Sequence, residues 1–130
     1  MAIWHRRKGK KKTGGEIIIQ RKKRKYELGN LPLHTRMGKE KKVVVKTKGG
    51  DRKIKARSVE FANVFNPESK EIKKVKILHV IENKASSDLV RRGIITKGCI
   101  IETEIGNARV TSRPSQHGVV NAIILEKEKT

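Results

Sequence analysis

From Val43 onward, apolar residues alternate with polar ones at a period of two. Val43 and Val45 alternate with lysines and a third valine, a glycine-containing turn follows, and Ile54 and Ala56 resume the apolar face. Such alternation indicates half-buried β-strands, and glycine in the turn favours a hairpin. The parity of the apolar positions then changes, which predicts a β-bulge near residues 57–58.

The remainder of the sequence shows further patterns typical of short β-strands. Further strands are predicted over residues 72–81, 94–96, 99–105, 108–112 and 119–125. Residues 86–93 predict a short helix, with a serine cap, arginines in the last turn and a glycine after it. The pair Gly106-Asn107 predicts a two-residue hairpin loop. Together these elements predict a mainly β protein, a small antiparallel β-barrel of about six strands with one short helix.

Residues 1–42 differ in charge from this patterned part of the chain. The whole sequence has 33 lysine and arginine residues against 13 acidic residues, a formal net charge of +20. Residues 1–42 hold 15 of these cations and three of the acids, and residues 43–130 hold the other 18 and ten. Because repulsion at this density opposes compaction, we expect two parts: an extended, basic N-terminal arm at 1–42 and a β-barrel domain at 43–130.

This density of positive charge has to stay in water or meet a partner of high negative charge. Nucleic acid supplies such a partner, with one phosphate charge per nucleotide. A membrane surface is a poorer match, because the chain has neither a long amphipathic helical pattern nor an apolar run of about 18 residues. The N-terminus lacks the apolar core of a signal peptide, and the single cysteine, Cys99, fits a reducing cytosol. The sequence therefore predicts a cytoplasmic protein that binds a polyanion and no membrane.

The residues that usually perform catalysis or hold metals form no recognisable pattern. His5, His34, His79 and His117 are far apart, and the cysteine is not at ligand spacing from any of them. Residues 9–13 lack the spacing of a nucleotide-triphosphate-binding loop. We therefore expect neither an enzyme nor a metal site, cofactor or small-molecule substrate.

The composition and irregularity of the arm indicate which kind of nucleic acid it binds. Duplex DNA is usually recognised by a positioned helix or ribbon, and no recognition helix or zinc finger is predicted here. An irregular arm rich in arginine, lysine and glycine fits the uneven grooves and unpaired nucleotides of a folded RNA. Trp4 and Tyr26 either pack onto the barrel or stack on unpaired bases, and stacking is the favoured interpretation. Gly14 and Gly15 would let the backbone approach a phosphate closely.

The candidate RNA-binding residues fall into two groups. Most lie in the arm: Trp4, His5, Arg6, Arg7, Lys8, Lys10, Lys11, Lys12, Gly14, Gly15, Arg21, Lys22, Lys23, Arg24, Lys25, Tyr26 and Arg36. The others lie on the first hairpin of the barrel domain: Lys46, Lys48, Arg52, Lys53, Lys55 and Arg57. The hairpin would thus extend the basic surface of the arm onto the barrel.

Several short segments, in a fixed order, carry a family resemblance. They are residues 12–15 (KTGG), 24–32 (RKYELGNLP), 47–50 (TKGG), 89–91 (LVR) and 97–100 (KGCI). In this combination the chain resembles the archaeal and eukaryotic "eight-e" family of small-subunit ribosomal proteins, and its short length resembles the archaeal form. The resemblance implies a β-barrel with an N-terminal extension threaded into small-subunit ribosomal RNA. It also implies other small-subunit ribosomal proteins as neighbours, a monomer within the subunit, and no enzyme activity.

Two other classes of protein remain alternatives. A non-ribosomal RNA chaperone or a chromatin-like nucleic-acid-binding protein would show the same charge and glycine pattern. An enzyme acting on RNA is a distant third, because the sequence offers no catalytic constellation.

Overall fold

The computed structural model describes residues 3–4, 9–18 and 20–125. The chain forms two compact units, Met1–Pro32 and Leu33–Thr130. The boundary expected between residues 42 and 43 falls inside a strand, Lys41–Lys46. That residues 1–42 act together as one RNA-binding extension stays a prediction.

The first unit is built from turns and very short strands. Strand β1 (Ile3–Trp4) pairs antiparallel with β2 (Leu28–Gly29), and one turn of 3-10 helix (Lys25–Glu27) leads into β2. A tight turn is closed by an isolated bridge that joins Lys10 to Glu16. The expected extended arm stays a prediction.

The second unit contains the predicted barrel. Its strands are β6 (Phe61–Asn66), β7 (Glu71–Glu82), β8 (Ile100–Thr103), β9 (Gly106–Val110) and β10 (Asn121–Ile124). They close in the order β10-β6-β7-β8-β9, which confirms a mainly β fold with a small barrel. The barrel closes with five strands, and β6 and β10 run parallel while its other neighbouring pairs are antiparallel. A ring with an odd number of strands cannot alternate in direction all the way round, so one parallel pair is required.

A separate three-stranded sheet precedes the barrel in the chain. It consists of β3 (Arg36–Met37), β4 (Lys41–Lys46) and β5 (Arg52–Val59), in the order β3-β5-β4. Strands β4 and β5 form the predicted hairpin. Their register passes from Lys41 opposite Ser58 to Lys42 opposite Ala56, so Arg57 has no partner in β4. This confirms the bulge predicted near residues 57–58.

The register of this hairpin differs from the expected one. We expected Val43 and Val45 to share an apolar face with Ile54, but Val44 lies opposite Ile54 and Val43 lies opposite Lys55. Directly opposed residues of an antiparallel pair share a face of the sheet, so each face of the hairpin mixes valine with cations. The turn of residues 47–51 sets this register, because a shift of one residue exchanges the two faces.

The helices are short. Helix α1 (Ser87–Arg91) was predicted, and the Ser86 hydroxyl at its start accepts a hydrogen bond from the Asp88 amide at 3.3 Å. Helix α2 (Pro114–His117) lies where a loop was expected. Its signals are the proline at its first position and the glycine after it, a pairing typical of helix ends.

Two further details of the strand prediction are wrong. The β8–β9 turn lies at residues 104–105, not at 106–107, because the Thr103 hydroxyl donates to the Gly106 carbonyl oxygen at 2.7 Å and closes the turn earlier. The strand expected at residues 94–96 is reduced to one bridge, between Ile94 and Arg36.

The core of the second unit joins the sheet to the barrel. It is a cluster of small and branched residues: Ala56, Val59, Ala62, Val64, Val75, Ile77, Val80, Ile95, Cys99, Ile101, Ala108, Val110, Val120 and Ala122. Two members, Ala56 and Val59, come from β5, so the base of the hairpin is fixed by burial, whereas Arg52, Lys53 and Ile54 nearer its turn are exposed. No helix in the described residues is both long enough and apolar enough to span a membrane.

A tight contact between α2 and β5 gives a testable consequence. Gly118 has φ of +78°, and a Cβ there would lie 3.0 Å from the carbonyl oxygen of Ile54. Gly98 has a similar φ of +85° with nothing within 4 Å of such a Cβ. We expect Gly98→Ala to destabilise the protein by about 1 kcal/mol through backbone strain alone, and Gly118→Ala by roughly 1–3 kcal/mol more. Urea unfolding of the two variants measures the difference, and equal losses would mean that β5 is not held by this contact.

Candidate nucleic-acid interface

Five candidate residues of the arm, from Lys10 to Gly15, lie on an exposed turn. Lys10, Lys11 and Lys12 are exposed, and the Lys11 amide donates to the carbonyl oxygen of Gly15 at 2.7 Å. Gly14 has φ of +87°, and a Cβ at either glycine would meet nothing within 4 Å. The turn therefore presents three cations next to backbone that a bulky ligand can approach closely.

Glu27 binds two residues of the second basic run, residues 21–25. Its carboxylate accepts hydrogen bonds from both terminal nitrogens of Arg21, at 2.6 and 3.1 Å, and from the backbone amide of Arg24 at 3.2 Å. This bidentate pairing raises the pKa of the Arg21 guanidinium. Arg21 therefore already has a carboxylate partner, although a simple count of cations treats it as unpaired.

Tyr26 presents its ring to solvent. The residue is 72% exposed, and its hydroxyl accepts a hydrogen bond from Arg21 at 3.3 Å. The hydroxyl is held by Arg21 while most of the residue stays exposed, so the ring is available for stacking on a base. The neighbouring candidates of this run are also exposed: Lys22, Lys23, Arg24 and Lys25.

Some candidate residues lie outside the described part of the chain. They are His5, Arg6, Arg7 and Lys8. For Trp4 the structure describes the backbone pairing with Leu28 and not the side chain. Their roles stay predictions.

The hairpin brings cations together at its tip and separates the others. Lys46 lies directly opposite Arg52, and both are exposed. Lys53 and Lys55 lie opposite Val45 and Val43, on the other face. Like charges placed opposite each other destabilise a strand pair, so an anion at the tip would stabilise it. Lys48 is exposed in the turn between the strands.

A groove in the second unit joins two candidates that are 21 positions apart in the sequence. Arg36 and Arg57 line it together with His34, Lys41 and Ser58, and its volume is about 550 Å³. Sequence reasoning did not single out His34 and Lys41, which the structure places in the lining of this groove. Lys41 has no local signal, because it reaches the groove through strand pairing.

The described residues show no arrangement suited to catalysis or metal binding. No group of three or more histidine, cysteine, aspartate or glutamate residues within them is placed to hold a metal ion. Cys99 is buried, and burial raises the pKa of its thiol, which disfavours the reactive thiolate.

A small barrel core with many exposed lysines and arginines is typical of structural proteins that bind nucleic acid. The family described as Ribosomal protein S8e matches residues 4–125, and the chain belongs to that family. It is therefore a structural protein of the cytoplasmic ribosome and not an enzyme, as the segment pattern had indicated.

Two archaeal relatives agree with this assignment over nearly their whole length. The chain is 45% identical over 123 residues to the small ribosomal subunit protein eS8 of Methanospirillum hungatei, covering 95% of this chain and 98% of the relative. It is 44% identical over 128 residues to the small ribosomal subunit protein eS8 of Sulfolobus acidocaldarius, covering 98% and 100%. The resemblance to the short, archaeal form is thereby confirmed.

The opposed cations at the hairpin tip give a prediction in which stability and RNA affinity change in opposite directions. Lys46→Glu replaces a like-charge pair with an opposite-charge pair across from Arg52, so we expect the free protein to gain about 0.2–1 kcal/mol of stability. The same change should weaken binding to small-subunit ribosomal RNA, because a cation becomes an anion. Urea unfolding and filter binding measure the two effects.

Lys84→Glu is the matched control, since Lys84 is exposed in the turn after β7 and is not part of the hairpin. It should leave RNA affinity closer to the wild-type value than Lys46→Glu does. A loss of stability in Lys46→Glu would contradict the argument from repulsion.

Proposed function

We propose that this chain is a structural constituent of the small ribosomal subunit, where it binds and stabilises folded ribosomal RNA. Binding uses the basic segment of residues 4–26, together with Arg36 and the cations of the β4–β5 hairpin. Other small-subunit ribosomal proteins are its neighbours, and it acts as a monomer within the subunit. The names of the two archaeal relatives support the subunit assignment.

The observation that carries this proposal is the imbalance of exposed charge in the first unit. Within the described residues of that unit, the lysines and arginines are all exposed and the acids are Glu16 and Glu27. Glu27 already binds Arg21. The remaining positive charge has too few carboxylates to balance it, and RNA phosphates supply that balance while releasing counterions.

The shape of the described elements favours RNA over duplex DNA. Helix α1 has five residues and α2 has four, which is too short to fill a major groove as a recognition helix does. Exposed turns with glycine and an accessible tyrosine ring suit irregular RNA, in which unpaired bases are available for stacking. Ile18, 84% exposed, offers an apolar contact to a neighbouring protein.

Sedimentation distinguishes this proposal from a free RNA chaperone or a chromatin-like protein. The native protein should co-migrate with small ribosomal subunits through a sucrose gradient and should be released by high salt. Recovery with DNA, or as free protein at low salt, would contradict the ribosomal role.

The turn of residues 9–15 gives a prediction on salt dependence. If Lys10, Lys11 and Lys12 each bind a phosphate, changing all three to glutamine should make the slope of log affinity against log salt less steep by about 2, at about 0.7 per phosphate. Filter binding to small-subunit ribosomal RNA at several salt concentrations measures this slope.

The matched control removes the same charge from the second unit, with Lys70, Lys73 and Lys84 all changed to glutamine. These lysines are exposed in and around β7. An equal fall in slope for both triple variants would mean that net charge, and not the turn, determines binding.

Tyr26 separates stacking from hydrogen bonding. We expect Tyr26→Ala to weaken RNA binding by about 1–3 kcal/mol, and by a similar factor at low and high salt, because stacking responds little to salt. Tyr26→Phe should keep most of the affinity, since it keeps the ring. If Tyr26→Phe binds as weakly as Tyr26→Ala, the hydroxyl and not the ring is what matters.

The same reasoning applies to Trp4. Trp4→Ala should weaken RNA binding at all salt concentrations and leave the thermal unfolding of the free protein unchanged. A loss of stability in the free protein would mean that Trp4 packs within the protein.

A further inference from the structure

The register of three strands creates a groove within the second unit. Ser58 of β5 pairs with Arg36 of β3 on one side and with Lys41 of β4 on the other. Neighbouring strands lie about 4.8 Å apart, so Arg36 and Lys41 start roughly 10 Å apart on opposite sides of Ser58. The bulge leaves Arg57 without a partner in β4, and its side chain also lines this groove. His34 completes the polar lining.

The described residues provide no counter-charge for the cations of this groove. Arg36, Lys41 and Arg57 form no ion pair with any described residue, and no acidic side chain is among those that line the groove. Glu40, next to Lys41 in the sequence, is bound instead to Lys42 at 2.6 Å. Three cations that converge without a counter-charge repel one another and raise the local potential for anions.

The lining also offers the hydrogen-bond donors that a phosphate needs. Two guanidinium groups, from Arg36 and Arg57, can each contact a phosphate through two parallel N–H bonds. The Ser58 hydroxyl and a ring N–H of His34 are further donors, and Lys41 adds a point charge. The volume of about 550 Å³ falls within the range of roughly 300–1,000 Å³ that is typical of ligand sites and leaves room for more than one phosphate group.

We propose that the groove between β3, β4 and β5 is a second RNA site, which binds a turn of the phosphodiester backbone at two or more phosphates. This rests on the proposed function, which already includes Arg36 and Arg57. It adds that these two arginines bind RNA in one groove together with His34 and Lys41, which no sequence signal had indicated. The bulge at Arg57 serves this site by freeing that residue from the β4–β5 ladder.

The test uses the full-length protein and small-subunit ribosomal RNA. Changing Arg36, Arg57 and Lys41 all to glutamine should make the salt slope less steep by about 1.4 to 2, at about 0.7 for each of the two or three phosphates that are no longer neutralised. Lys41→Gln alone should reduce it by about 0.7, and it leaves the bulged residue in place in case the triple variant fails to fold. The midpoint of urea unfolding should stay the same or rise, because repulsion within the groove is removed.

Two further variants separate geometry from charge. Arg57→Lys keeps the charge, so it should retain the slope but lose affinity if the guanidinium fork makes paired bonds. Lys84→Gln removes one charge outside the groove and should change the slope less than Lys41→Gln does. If Arg57→Lys binds RNA with full affinity and Lys84→Gln changes the salt slope as much as Lys41→Gln does, the groove is not a specific phosphate site.

The outcomes distinguish this inference from the proposed function. If the groove variants bind RNA with the wild-type affinity and slope while the Lys10, Lys11 and Lys12 variant is weakened, the groove is not an RNA site. The proposed function then stands for residues 4–26, and Arg36 and Arg57 are removed from it. If none of these variants changes RNA binding, the proposed function fails as well. If the groove variants bind RNA normally but no longer co-sediment with small subunits, the groove holds an acidic protein segment, and the RNA assignment is wrong.

Discussion

Repulsion among lysine and arginine side chains is the constraint that every other part of this structure has to satisfy. The second unit does so by keeping charge out of its interior. The buried polar side chains among its described residues are Thr35, Asn83 and Thr103, all neutral. Each is hydrogen-bonded, Thr35 to the Ala56 carbonyl oxygen at 2.8 Å, so the core contains no uncompensated polar group among the described residues. The stability of the protein therefore comes from a small apolar core, and the cations remain on the surface for a partner.

Surface ion pairs do little to relieve this repulsion. Pairs such as Arg92 with Asp88 and Lys73 with Glu71 are exposed, and such pairs typically contribute only about 0–1 kcal/mol. Arg21 with Glu27 is the more ordered case, because the pairing is bidentate and the carboxylate also holds a backbone amide. Even there, one acid serves a run of several cations. The carboxylates of the described surface are thus too few to balance its positive charge.

The sequence predicts local features well and long-range registers poorly. The hairpin, the bulge near Arg57 and helix α1 follow from period-two alternation, a change of parity and a serine cap, all read within a few residues. The turn after β8 was misplaced, because the Thr103 side chain closes it two residues earlier than the Gly106-Asn107 pair suggests. Helix α2 was missed because four residues are too few to show a helical period.

The candidate site likewise has a part that the sequence predicts and a part that it does not. The exposed cations of the first unit and the hairpin tip follow from charge density alone. The groove does not, because Lys41 and Arg36 meet only through their separate pairings with Ser58. The boundary expected between residues 42 and 43 also placed Lys41 outside the barrel domain, although Lys41 begins strand β4. Such a site depends on strand order, which single-residue patterns do not encode.

The parallel pair of the barrel has a consequence for synthesis of the protein. Strand β10 lies between β6 and β9, so the ring cannot close before residues 121–124 have left the translating ribosome. Until then β6 and β9 each expose an unpaired edge, which is the feature that makes partly made β proteins prone to associate. Pairing between residues near 64 and 122 also gives the fold distant contacts, and such contacts slow folding. The nascent chain therefore passes through a stage in which the barrel is open. At that stage, repulsion between copies of this highly charged chain protects against aggregation, although the same repulsion within one chain opposes compaction.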